Sequence, residues 1–264
     1  MAKLDSIPGV GSALVGPTVR TISRADLKEA LRRGVDDFMA MPTHAFFIAL
    51  IYPVLGLFLA AGIFGNNVLP LLFPLIAGFA LIGPFAAIGL YELSRRREQG
   101  EALSLSHTSE ILRSPSIGSI AALGTLLLVI LLLWLATAQA LYFAIFGSDR
   151  PDSVATFLHQ VLTTRQGWAL ILAGNAVGIA FSAVVLAISI VSFPLLLERN
   201  VSAATAVQTS LRAVSANPGP MALWGLIVAA LLFVGFIPLF FGLAVVIPIL
   251  GHATWHLYRR LVVS

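Results

Sequence analysis

Cysteine is absent from this 264-residue chain. Disulfides, thiolate metal sites and a cysteine nucleophile are therefore excluded. Charge is scarce as well: Asp, Glu, Lys and Arg make up 11% of the residues, against 58% hydrophobic, and the mean hydropathy is +0.96. Soluble domains carry roughly a quarter of their residues charged, so this composition belongs to the membrane class. A net charge of +4 would suit nucleic acid in a soluble chain. Here it is the surplus of Lys and Arg that cytoplasmic loops collect, and no nucleic-acid partner is expected. The first 44 residues hold six basic residues and no apolar core, so no cleavable signal peptide is expected and the first span inserts itself. No phosphate loop, HExxH zinc motif or GxSxG nucleophile elbow occurs.

What is present is apolar length. Five uncharged runs cover 45–64, 69–91, Ile117–Phe146, 168–197 and 221–250. About 20 such residues cross a bilayer as a helix. Gly65, Asn66 and Asn67 mark a tight turn between the first two runs. The last run contains Gly235 and Pro238, and proline breaks the helical ladder. A turn there gives two spans, 221–237 and 238–258.

Charge chooses between five spans and six. With six spans and the N-terminus inside, the N-tail and the segments 92–116, 198–220 and 259–264 hold 6, 4, 2 and 2 basic residues, which is 14 of 16. Arg150 and Arg165 remain outside. Five spans would move Arg259 and Arg260 outside too, and the positive-inside rule prefers six. The expected fold is thus all-α: a polytopic transmembrane bundle of about six spans with both termini cytoplasmic. Residues 1–22 read as a flexible tail and 23–264 as a single transmembrane domain.

Amphipathic segments precede three span pairs. In 24–39, Ser23 with Asp26 resembles a capping box, and Leu27, Leu31, Val35 and Phe38 form one apolar stripe. Lys28, Arg32, Arg33 and Asp36 lie away from it. A weaker segment covers 106–113, and in 203–214 the stripe is Ala204, Val207, Leu211 and Val214. Pro42, Pro115 and Pro218 follow the three in turn. The pattern suggests a threefold repeat of interfacial helix plus hairpin, the helices either binding anionic lipid or covering the bundle. On the opposite side, 153–162 has its own helix-like stretch, with Val154, Phe157, Leu158 and Val161 on one side.

Two strings carry the polar residues. The first is Gly83-Pro84-Phe85-Ala86-Ala87-Ile88-Gly89-Leu90-Tyr91-Glu92-Leu93-Ser94-Arg95-Arg96-Arg97-Glu98. Its arginines act as a stop-transfer signal or hold lipid phosphates. Glu92 sits at the hydrocarbon edge, where a carboxylate needs a partner, and the adjacent arginines are expected to supply it. The second string is Gly251-His252-Ala253-Thr254-Trp255-His256-Leu257-Tyr258-Arg259-Arg260. His252 and His256 share one helix face and are candidate metal ligands, though a site needs more. His44, Glu92, Glu198, His252 and His256 fall near one membrane depth, a candidate polar cluster for a metal or a proton. The alternative is an aromatic belt with Trp255 and Tyr258. Arg32, Arg33, Arg95, Arg96, Arg97, Arg259 and Arg260 are the candidate contacts to lipid or partner. Within the spans, Gln139 and Asn175 are the main polar side chains, and Asn175 lies in a GxxxG pattern, Gly174 to Gly178, that suits helix packing.

At these two strings the chain resembles a bacterial family of integral membrane proteins, domain of unknown function family 2189, from about Ser23 to the C-terminus. The resemblance implies an inner-membrane protein of several spans from a Gram-negative bacterium and brings no activity. Members have been labelled subunit I of cytochrome c oxidase. Such a subunit needs several mid-membrane histidines, whereas all five here lie at span ends or in loops. The reading that follows is a non-enzymatic inner-membrane protein without a cofactor, acting through membrane lipid or a membrane-protein partner. The alternatives are a transporter or channel for a small or apolar solute, and a haem or metal protein using His252 and His256.

Overall fold

The structure, a computed structural model, describes residues 17–41, 74, 83–101, 114–147, 153–237 and 242–263. Regular structure among them is helical, apart from one isolated bridge between Val19 and Val262. The helices are α1 (Arg24–Ala40), α2 (Gly83–Ala86), α3 (Ile88–Gln99), α4 (Ile117–Phe146), α5 (Val154–Thr163), α6 (Arg165–Ser189), α7 (Ser192–Glu198), α8 (Ala203–Ala216), α9 (Pro218–Phe236) and α10 (Leu243–Leu261).

Three stretches are long and apolar enough to cross a membrane: Ile117–Phe146, Arg165–Glu198 and Pro218–Phe236. Their outward side chains, such as Leu132 and Leu133, Leu172 and Ile179, and Leu226 and Phe233, are large, apolar and exposed. Helices apolar on every side belong in lipid, as the all-α membrane bundle requires. The span expected at 45–64 lies outside the described residues. The one at 69–91 is described chiefly from residue 83, where it is helical and runs on as α3 to Gln99.

α4 and α6 pack through the glycines of the GxxxG pattern. A Cβ on Gly178 would lie 3.2 Å from the Trp134 indole, and one on Gly174 would meet Leu141 at 3.9 Å. Trp134 stacks obliquely on Phe181, centroids 5.6 Å apart, and its indole N–H donates to the Pro74 carbonyl at 2.7 Å. Asn175 takes no part: it is exposed and donates to the Ile171 carbonyl of its own helix at 2.7 Å.

The run expected as one helix over 168–197 is two, divided after Ser189. Pro194 has no N–H to give to the Ile190 carbonyl, so the ladder fails there. α8 repairs the break. The Ser210 hydroxyl donates to the Ala187 carbonyl at 2.7 Å and accepts the Val191 N–H at 3.3 Å. The run 221–250 also divides, as expected, into α9 and α10. Pro238 lies outside the described residues, and α10 starts at Leu243 and reaches Leu261, beyond the expected end at residue 258.

A polar cap covers one end of the bundle, built from α1, α3, α7, α8 and the second half of α10. α1 crosses α10 at closest approach where Gly34 meets Ala253: a Cβ on Gly34 would lie 2.6 Å from the Ala253 Cβ and 2.7 Å from the Ile249 carbonyl oxygen. Only a residue without a side chain fits there. This crossing, and not the apolar stripe as a whole, sets the face that packs. The buried face of α1 is Leu27, Ala30, Gly34 and Asp37. Leu31 and Phe38 are half-buried at its edge and Val35 is exposed. α8 shows the same offset, burying Ala206, Thr209, Ser210 and Ala213 while Ala204 and Leu211 face outward. In both helices close approach selects small residues for the buried face and pushes the large apolar ones to the flank.

The capping box at Ser23 and Asp26 is present as read. Residues 17–22, expected within a flexible tail, are tied down. Arg20 N–H donates to the Leu261 carbonyl at 2.8 Å and Val263 N–H to the Thr18 carbonyl at 3.0 Å. Asn217 accepts the Ile22 N–H at 2.7 Å and donates to the Arg20 carbonyl at 3.0 Å. The two ends of the described chain therefore lie on the same side of the bundle. The 106–113 segment is outside the described residues, and with it one third of the expected repeat.

Candidate functional site

Three helices bring their polar side chains together beneath α1. Asp37 is the residue after Gly34 on the small-residue face, so the close crossing carries its carboxylate inward, where it is 4% exposed. Ser94 of α3 and His252 of α10 are wholly buried, and His256 nearly so. The Ser94 hydroxyl donates to Asp37 Oδ2 at 2.5 Å and lies 2.8 Å from His252 Nδ1. A hydroxyl has one proton, and Asp37 has it, so His252 Nδ1 must be the donor to Ser94. His252 Nε2 is then an acceptor, and it is buried without a hydrogen-bond partner among the described residues. His256 Nε2 donates to Asp37 Oδ2 at 2.9 Å, and Arg97 pairs with Oδ1.

Burial alone would push the Asp37 carboxyl up. The contacts with His256, Ser94 and Arg97 outweigh it and hold the group below the usual carboxylate range. The inventory of Ser, His and Asp invites comparison with a hydrolytic triad. In a triad the imidazole stands between the other two. Here the hydroxyl does, and it faces no opening. The arrangement fixes α1 to α3 and α10 and holds one buried charge.

Two further networks surround it. Glu92 is buried, and Arg95 grips both its oxygens at 2.8 Å while Arg96 adds a bond at 2.6 Å, the partners expected. Glu198 accepts from the Tyr258 hydroxyl and from Arg259 at 2.6 Å. Glu98 accepts from the Trp255 indole at 3.1 Å and from Arg259.

The expected cluster is thus divided. His252 and His256 come together, as the four-residue spacing requires, but neither Glu92 nor Glu198 joins them; each is held by its own arginines. His44 lies outside the described residues. Among the described residues no three His, Asp or Glu side chains are placed to hold a metal ion. Nor do the imidazoles sit in an aromatic belt, since both rings are inside the protein. Asp37 and Ser94, which complete the junction, were not among the expected residues. The signal was the Ala30, Gly34, Asp37 spacing, a small-residue face ending in an acid.

The expected lipid-binding arginines are all engaged with carboxylates: Arg32 with Glu29 and Asp36, Arg33 with Glu29, Arg95 and Arg96 with Glu92, Arg97 with Asp37, Arg259 with Glu98 and Glu198, Arg260 with Asp26. Arg32 and Arg33 hold the half-buried Glu29 carboxyl down at about 2.

Residues 72–198 match the family model described as "Predicted integral membrane protein (DUF2189)". No curated protein and no solved structure matches the chain.

Proposed function

We propose a non-catalytic role in lipid contact for this chain, which across residues 72–198 belongs to that family of predicted integral membrane proteins. Its short helices seat in the two surfaces of the bilayer that its long helices cross. The polar cap faces the cytoplasm of a bacterial cell, where the basic residues collect.

One observation carries the reading. Large apolar side chains stand exposed on the helices outside the spans: Val35 and Met39 on α1, Leu211 on α8, Leu158 and Leu162 on α5. Met39 is 69% exposed. In water this surface would cost about 25 cal/mol per Å². At the boundary of headgroups and acyl chains it is where an amphipathic helix places its apolar side. Trp168, exposed just after α5, suits the same layer. The buried junction at Asp37 fits this role as the clamp that holds α1 at fixed height on α10.

Single cysteines test it cleanly, because the chain has none of its own. Spin labels at Val35→Cys and Leu158→Cys, in bilayers, should be more accessible to oxygen than to a water-soluble nickel chelate. Accessibility dominated by the nickel chelate at both positions would overturn the reading.

A further inference from the structure

The cations of the cap divide into two groups. Those the sequence makes conspicuous, the Arg95, Arg96, Arg97 run and the Arg259, Arg260 pair, are engaged with internal carboxylates. Arg24 and Lys28 are exposed and form no ion pair among the described residues. Both lie on α1, four residues apart; Lys28, expected to lie away from the apolar stripe, instead shares with Arg24 a helix face that continues through Leu31 and Val35 to Phe38 and Met39. The steps of four, three, four and three residues make one continuous stripe, cationic in its first half and apolar in its second. No acid falls on it: Asp26, Glu29 and Asp36 lie off the stripe, paired with Arg260, Arg32 and Arg33. Arg20 and Arg212 are likewise exposed without an ion pair among the described residues. Asn217, at the end of α8, ties residues 20–22 beside that helix, so the start of α1 and the α8 that carries Arg212 are neighbours.

We infer that this flank of α1 is a binding surface for anionic phospholipid headgroups of the membrane the protein spans. Arg24 and Lys28 take the phosphates, and Leu31, Val35, Phe38 and Met39 sit below them against acyl chains. The inference rests on the lipid-contact reading above and adds the charge of the lipid and the residues that choose it. Charge complementarity commits the surface to this occupant. A zwitterionic headgroup offers a phosphate already offset by its own ammonium and an apolar protein face offers no anion, whereas an anionic lipid brings the net negative charge that two unpaired cations attract. The arrangement also explains the internal pairing elsewhere: the paired arginines of the cap position helices, and the unpaired cations of α1 are left to read the surface.

The test uses the full chain in nanodiscs of phosphatidylcholine and phosphatidylglycerol in equal amounts. The readout is which lipids the protein retains on gentle extraction, by native mass spectrometry. The wild type should retain phosphatidylglycerol over phosphatidylcholine. R24Q/K28Q should lose that preference by about fivefold for each cation removed, and raised salt should weaken it in the wild type. R33Q, which removes a paired cation from the other flank, should keep it. Equal retention of phosphatidylglycerol by wild type and R24Q/K28Q would overturn the inference. So would loss of the preference on replacing chloride by inorganic phosphate at constant ionic strength, because the ligand would then be a soluble anion. The spin label at Val35→Cys in pure phosphatidylcholine separates the two proposals. A label buried there, with no headgroup preference, keeps the lipid-contact reading and removes this one. A label in water removes both.

Discussion

Asp37 is the residue on which the cap turns. Its two oxygens serve Arg97, Ser94 and His256, so removing it leaves three groups without their partner. Arg97 is partly exposed and can turn to water, which discounts its share. His256 and Ser94 cannot. Asp37→Ala should therefore cost about 1–3 kcal/mol, read as a lowered melting temperature in detergent, and Ser94→Ala should cost less. A melting temperature unchanged by Asp37→Ala would show the junction to be energetically idle. The pH dependence has a definite sign. The Asp37 carboxyl is held below its ordinary range, so its contribution is fully present above the unfolded-state value of about 3.9 and is lost as pH falls through the lower folded value. The protection of the α1 amides from hydrogen exchange, taken relative to the intrinsic rate at each pH, should hold from neutral pH downward and fall only on strong acidification. Protection already lost at pH 6 would contradict the assignment to Asp37.

The elements of the cap meet through small residues, and the next expectations concern those contacts. Gly34→Ala would place a methyl 2.6 Å from Ala253 and 2.7 Å from a backbone oxygen. Backbone cannot yield as a flexible side chain would, so α1 should lift from α10 at a cost of about 1–3 kcal/mol. Val35→Ser, on the exposed flank, should leave the detergent-solubilised protein near wild-type stability. The pair separates the face that packs from the one that does not. At the other end of the bundle, Gly167 carries the corner from α5 into α6, and a Cβ there would lie 2.2 Å from the Val161 carbonyl oxygen. Gly167→Ala should swing α5 away from α4 and break the contact of Phe157 with Tyr142, now at 6.3 Å between centroids. Trp168, next in the chain, should report the change in its fluorescence. An unaltered spectrum and melting temperature would mean that the corner is looser than its geometry requires.

For the whole molecule the expectation is topological. The hydrogen bonds between residues 18–20 and 261–263 place both ends of the described chain together, and α5 lies at the far end of α4 and α6. Reporter fusions after residue 264 and within 148–167 should therefore fall on opposite sides of the membrane, with the C-terminal one in the cytoplasm. A C-terminal fusion reporting the other side would overturn the six spans expected from the sequence.

Much of the architecture was legible in the chain because bilayers impose simple demands. Apolar length and the placing of Lys and Arg follow from the cost of burying charge, which is local and additive along the sequence. Thus Ile117–Phe146 is the helix that the uncharged run marks out. The division of 221–250 was legible, and so were the capping box at Ser23 and the pairing of Glu92 with its arginines, each set by residues within a few positions of one another. The face of a cap helix that would be buried was not legible. Hydrophobicity pointed to Leu31 and Val35, but the α1–α10 crossing is decided by how closely two backbones can approach, and that favours Ala30 and Gly34. The same crossing turned Asp37 inward to the two histidines, 219 residues from His256. It also brought Arg97 to Asp37 and Arg260 to Asp26. A charge whose partner is distant in sequence has none until the helices are in place, so Arg97 and Lys28 look alike in the chain and differ only in the fold.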